Sequence, residues 1–173
     1  VYSIDEAFLD LTGVSHCMDL TEFGQSVRSI IRQHIGMTVC VGIAPTKTLA
    51  KLANHAAKKW HKAGGVVDLT DKTRQRKLMS LLPVSEVWGI GSKLSARLNK
   101  LGIQTVLDLA DASPIFIKQQ CSVVESRIVA ELNGESCLAL EQVTQTKKQI
   151  ISSRAFGERI TSKDLMQEAI AEY

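Results

Sequence analysis

The sequence predicts an α+β chain with its strands gathered in residues 1–69 and an all-helical stretch after them. Two observations carry that prediction. Short β-branched or apolar runs (Val1–Thr12, Met37–Ile43, Val66–Leu69) alternate with stretches of helical period. After Thr70 no strand-like run survives, and Pro83, the Gly89–Ile90–Gly91 turn, Pro114 and Gly134 punctuate amphipathic segments.

Val1 to Thr12 reads as extended, with a turn at Gly13 and loop residues to about Cys17. Asp19 or Thr21 can cap a helix carrying Phe23, Val27, Ile30 and Ile31 that stops near Gly36. Met37–Ile43 suits a buried strand. Pro45–Thr46 opens a helix of roughly fifteen residues, and Gly64–Gly65 ends it before the strand Val66–Leu69. The alternation predicts helices packed on one face of a sheet. Lys72–Leu82 is a basic amphipathic helix, Ser92–Leu101 and Thr105–Ala110 are short ones, and Pro114 opens a helix running toward Asn133–Gly134. A polar Gln/Thr/Lys stretch, 137–149, reads as a linker. Ile150–Gly157 predicts a fresh strand, and Ser162 begins a last helix.

Composition sets bounds. With 173 residues, 45% hydrophobic and 23% charged, the chain can build a core. No apolar run is long enough for a membrane helix. Cys17, Cys40, Cys121 and Cys137 show no paired spacing, and His16, His34, His55 and His61 no ligand spacing, which argues against structural zinc and for reduced thiols in a cytoplasmic protein. A net charge of +3 says little; its distribution says more. Phe23 to Val67 contains no acid, yet holds Arg28, Arg32, Lys47, Lys51, Lys58, Lys59 and Lys62. Such a block beside an acidic pair suggests a polyanion meeting bound cations.

Three features carry chemistry. Asp5 and Glu6 lie in an apolar run, where two carboxylates need neutralising. A hard divalent cation would serve, provided a turn or bulge brings onto one side two groups that a regular strand would point apart; a solvated acid pair is the alternative. On the helix after Thr46, Lys47, Lys51, Lys58 and Lys62 fall within about 60° of one another at 100° per residue. Leu49, Leu52, Ala53, Ala56, Ala57 and Trp60 fill the opposite arc. No acid is interleaved with the lysines, so the stripe is an anion-binding candidate as well as a solvated face. Third, Trp88-Gly89-Ile90-Gly91-Ser92-Lys93 is a helix–hairpin–helix pattern. Its glycines allow close approach to a phosphate, and the next helix offers free N–H groups. Lys93, Arg97 and Lys100 fall on one side of that helix and Leu94, Leu98 and Leu101 on the other, predicting a contact to phosphate rather than to bases. Trp88 is expected to pack under the turn, and Asp10 to be structural.

The run Ser3-Ile4-Asp5-Glu6-Ala7-Phe8-Leu9-Asp10-Leu11-Thr12-Gly13 resembles the second catalytic motif of the Y-family, or translesion, DNA polymerases, nearest the UmuC type. The resemblance continues through Val41-Gly42-Ile43, Lys47, Lys51, Lys58, Trp88–Gly91 and Ser153–Arg159, and so covers the chain. It implies the C-terminal part of a polymerase palm (1–69), a helical thumb (70–136), a linker (137–149) and the start of a little-finger domain (150–173). The family's first motif, an Asp on an N-terminal strand, and its fingers are absent from the sequence. An internal piece of a longer polymerase is expected, inactive alone.

The resemblance further implies error-prone nucleotidyl transfer in SOS mutagenesis, with two Mg2+ ions at Asp5 and Glu6. Lys58 corresponds to the lysine on the nucleotide triphosphate, with Lys51 and Lys47 as further candidates. Gly89, Ile90, Gly91, Lys93 and Arg97 would meet DNA. Primer-template DNA and deoxynucleoside triphosphate are the implied ligands, and a UmuD′-like dimer, RecA and a sliding clamp the implied partners. A non-catalytic DNA-binding segment with an idle acidic pair is the competing class.

Overall fold

The computed structural model describes residues 5–138 and 155–171. These fall in two compact units, Val1–Leu140 and Glu141–Tyr173.

In the first unit the chain bends at Asp5 and continues without a strand to Thr12; residues 1–4 of the expected extended run lie outside the described residues. Helix α1, Leu20–Ile35, begins where the Asp19 carboxylate accepts the Thr21 and Glu22 N–H groups, and stops at Gly36 in the left-handed conformation. Strand β1 covers only Val41–Ile43. The expected start at Met37 fails because the ladder begins only where Val41 N–H reaches Gly65 O, and the Val39 carbonyl accepts Arg28 Nε instead. Helix α2, Lys47–Lys59, is capped by Thr46, and strand β2, Val66–Asp68, pairs parallel with β1.

The helices flank both faces of this two-stranded sheet, not one. A Cβ on Gly42 of β1 would strike the backbone of α2 at Ala50 and Asn54. A Cβ on Gly24 of α1 would instead meet the Val66 side chain, with Val41 behind it. Successive strand residues point to opposite faces, so Gly42 and Val67 face α2 while Val41 and Val66 face α1. A glycine at position 42 is thus what lets the lysine-bearing helix lie directly on the strand.

The remaining helices are α3 (Lys72–Leu81), α4 (Ser92–Lys100), α5 (Val106–Asp111), α6 (Pro114–Gln120) and α7 (Val123–Leu132). The single helix expected from Pro114 is two. Cys121 leaves helical geometry, Ser122 caps α7 through Val124 N–H, and its hydroxyl donates to Glu125. One apolar cluster takes in Leu49, Leu52, Ala53 and Ala56 of α2 together with Leu78, Met79, Leu98, Leu109, Ile117, Val129 and Leu132. The expected boundary at 69/70 therefore runs through a shared core.

In the second unit, residues 155–157 are not strand, residues 150–154 of that expected strand lie outside the described residues, and α8 spans Lys163–Ala171. No helix among the described residues is long and apolar enough to cross a membrane.

Candidate metal and nucleic-acid interface

The acidic pair sits at a bend rather than in the expected extended run, the geometry a shared ion site would demand: Asp5 is exposed and Glu6 half-buried. Glu6 does not stand alone. Lys51 Nζ lies 2.5 Å from its Oε1 and 2.7 Å from its Oε2, both side chains being roughly a quarter to a third exposed. The acid-free stripe on α2 thus meets its acid from another segment, which inspection of the helix alone could not show. Beside it, Lys47 Nζ stands 5.3 Å above the Phe8 ring, and Lys51 Nζ 6.0 Å from the Trp88 ring. Phe8 and Trp88 themselves lie 6.3 Å apart. Trp88, expected to pack under the turn, lies against Phe8 of the segment that follows the acidic pair.

The oxygen donors suit a hard cation. Magnesium takes one or two carboxylates and fills its shell with water and phosphate oxygens. Asp5 and Glu6 can supply those two; among the described residues no group of three or more potential ligands gathers. Asp10 turns away from this role: its carboxylate accepts Thr12 N–H and Oγ1–H at 2.9 and 2.6 Å, and the hydroxyl contact holds its pKa below the ordinary aspartate value.

Helix α2 buries the predicted apolar face, with Leu49, Leu52, Ala53, Ala56 and Ala57 all inside. Lys62 falls off the stripe, because α2 ends at Lys59. Trp60 turns extended there to pack against the core, and residues 61–63 form a short 3-10 turn. Lys47, Lys51 and Lys58 keep one face. Lys58 is exposed and among the described residues makes no ion pair.

The hairpin is built from α3, a 3-10 turn at Val84–Glu86, Gly89 in the left-handed region at φ 94°, and α4. Val87 and Ile90 anchor the turn in the core, while Gly89, Gly91, Ser92 and Lys93 face outward. Gly91 caps α4 without a side-chain acceptor, which leaves the first N–H groups of that helix open to an anion. Lys93, Arg97 and Lys100 are exposed, and Leu98 is buried against the cluster. Leu101, expected on the apolar side, closes the helix at 37% exposure.

Two residues make contacts the sequence did not foretell. His55, on α2, places Nδ1 3.4 Å from a Glu86 carboxylate oxygen beside the hairpin, while its Nε2 is buried without a partner. Glu131, on α7, is 1% exposed. Its carboxylate accepts Thr48 N–H at 3.0 Å, Cys137 N–H at 2.6 Å and Leu138 N–H at 3.1 Å, and its carbonyl accepts the Thr46 hydroxyl at 2.9 Å. A buried carboxylate therefore sits at the positive end of the lysine helix. No periodicity marks it, since an acid in a helical run reads as surface.

The model of the impB/mucB/samB family matches residues 1–55, and that of the IMS family HHH motif residues 72–103. Protein UmuC of Salmonella typhimurium is 53% identical over 174 residues, covering 100% of this chain and 41% of the relative. DNA polymerase IV of Ectopseudomonas mendocina is 36% identical over 119 residues, covering 68% and 32%. A Y-family DNA polymerase chimera superposes with a TM-score of 0.65 at 28% identity, covering 84% of this chain and 42% of that one. The chain thus spans about two fifths of the length of its UmuC relative.

Proposed function

The chain belongs to the impB/mucB/samB family, of the Y-family DNA polymerases, and from that premise we propose that it forms the acidic-motif and hairpin portion of a translesion DNA polymerase. One observation carries the reading beyond family membership. The Asp5–Glu6 bend, the lysine face of α2 and the hairpin turn converge through Phe8 and Trp88.

In this reading Asp5 and Glu6 hold Mg2+, which when bound would activate the primer 3′-hydroxyl and stabilise the leaving pyrophosphate. The residues of the chain do the rest. Lys58 follows the triphosphate oxygens as a mobile point charge. Lys51 and Lys47 are held nearer the acidic bend by Glu6 and Phe8, so their nucleotide role is secondary to that of Lys58. The turn at Gly89–Gly91, with Ile90 anchoring it, presents backbone N–H groups, Lys93 and Arg97 to backbone phosphates, so grip is independent of sequence. The division into palm, thumb, linker and little finger is part of the proposal, as are error-prone synthesis in the SOS response and a UmuD′-like dimer, RecA and a sliding clamp as partners.

The experiment is primer extension by the parent-length protein bearing Asp5→Ala or Glu6→Ala, alongside a DNA-binding titration. Loss of extension with near-normal DNA binding supports the reading; normal extension by either variant overturns it. The Glu6–Lys51 ion pair favours one other reading, a non-catalytic DNA-binding segment, and normal extension is what that reading expects.

A further inference from the structure

The Lys51 ammonium occupies both oxygens of Glu6, at 2.5 and 2.7 Å. A divalent cation bound to that carboxylate would sit about 2 Å from an oxygen. Its two positive charges would then lie within a few ångströms of the ammonium, in a site only partly open to screening solvent. Ammonium and metal therefore compete for Glu6.

The structure also offers the ammonium somewhere to go. The Trp88 ring stands 6.0 Å from Nζ, at the edge of cation–π range. Four rotatable bonds let the ammonium swing toward the ring while the backbone of α2, fixed by the core on its other face, stays put.

We propose that Lys51 is the resident counter-ion of the acidic bend, holding Glu6 in the metal-free protein and displaced toward Trp88 when a divalent cation arrives. Lys51 is then a positioning residue first, and any contact with the triphosphate is secondary. It keeps Glu6 oriented without a cation, and it weakens cation binding in doing so. Because Trp88 belongs to the hairpin turn, the displaced ammonium links the acidic bend to the surface proposed to meet DNA. The inference rests on the proposed assignment of Asp5 and Glu6 as metal carboxylates.

The test is Mn2+ binding by electron paramagnetic resonance on the full chain, comparing wild type, Lys51→Met, Lys51→Arg and the double variant Asp5→Asn/Glu6→Gln, each checked by thermal melt. Lys51→Met keeps the length without the charge and is expected to bind Mn2+ about fivefold more tightly, the scale of one partly exposed ion pair. Lys51→Arg should not bind more tightly than wild type. In a Trp60→Phe background Trp88 is the remaining tryptophan. Its emission should shift on Mg2+ addition, and the shift should vanish with Lys51→Met. If the double variant loses Mn2+ while a folded Lys51→Met binds no more tightly than wild type, the counter-ion role is overturned and the metal assignment survives. If the double variant binds like wild type, the metal assignment falls and takes the inference with it.

Discussion

Replacing Glu131 by alanine removes a carboxylate that joins the start of α2 to α7 and to residues 137–138. Its three accepted N–H bonds are charge-assisted, each of a class worth roughly 1.5–3 kcal/mol. Leu138 is exposed, so water can take over its N–H, and part of that of half-buried Cys137. Thr48 is 2% exposed, and its N–H, in the first turn of α2, is left without a partner. Loss of the negative charge at the helix N-terminus adds about 0.5–1 kcal/mol. Relief of the carboxylate's own desolvation works the other way. The net expectation is about 3 kcal/mol of destabilisation, or a fall in melting temperature of about 10 °C for a unit of this size. Glu131→Gln keeps the shape and one acceptor oxygen, and should recover about half of the loss. Urea unfolding gives the free energies, and amide exchange at Thr48, Leu49 and Ala50 shows whether the start of α2 loosens first. A change under about 1 kcal/mol for Glu131→Ala, or exchange that rises uniformly along the chain, would refute the claim that this carboxylate secures the lysine helix.

In the parent-length enzyme, Lys58→Ala should lower kcat/KM for nucleotide by the equivalent of about 2–4 kcal/mol with DNA affinity little changed; an unchanged value counts against triphosphate contact. Gly89→Val forces a side chain into a φ of 94° and toward Ile128, so DNA affinity should drop equally on all sequences. Lys93→Ala should reduce the salt slope of binding by about one unit, and a sequence-selective loss in either variant would show base reading instead. The Asp108 carboxylate accepts the Thr105 and Gln104 N–H groups in a capping box, and the Thr105 bond leads in depressing its pKa. A depressed folded pKa stabilises above the unfolded aspartate value of about 3.9 and is lost as pH falls through the folded one. The advantage of wild type over Asp108→Asn should therefore be full near neutrality and disappear in acid; a difference that persists below that range removes the ionic contribution.

The sequence by itself determined what depends on local rules. Asp19, Thr46, Asp71, Thr105 and Ser113 each cap a helix, and all five of those helix starts were legible to within a residue or two. Ser122 and Glu125, at capping-box spacing, also marked the break after Gln120, but the apolar period running on toward Asn133 hid it. The acidic pair, the lysine face and the Gly-x-Gly turn were legible because residue type, spacing and family resemblance agree there. Tertiary structure alone decided the rest, since it turns on groups far apart in the chain. Glu6 meets Lys51 across 45 positions, Thr48 meets Glu131 across 83, and Trp88 comes to rest on Phe8. Met37–Cys40 has strand composition yet stays outside the ladder, because β2 offers no partner before Gly65. The two helix-covered faces of the sheet follow from two glycines: the missing Cβ of Gly42 lets α2 close on one face and that of Gly24 lets α1 close on the other, and a periodicity argument cannot register an absent atom.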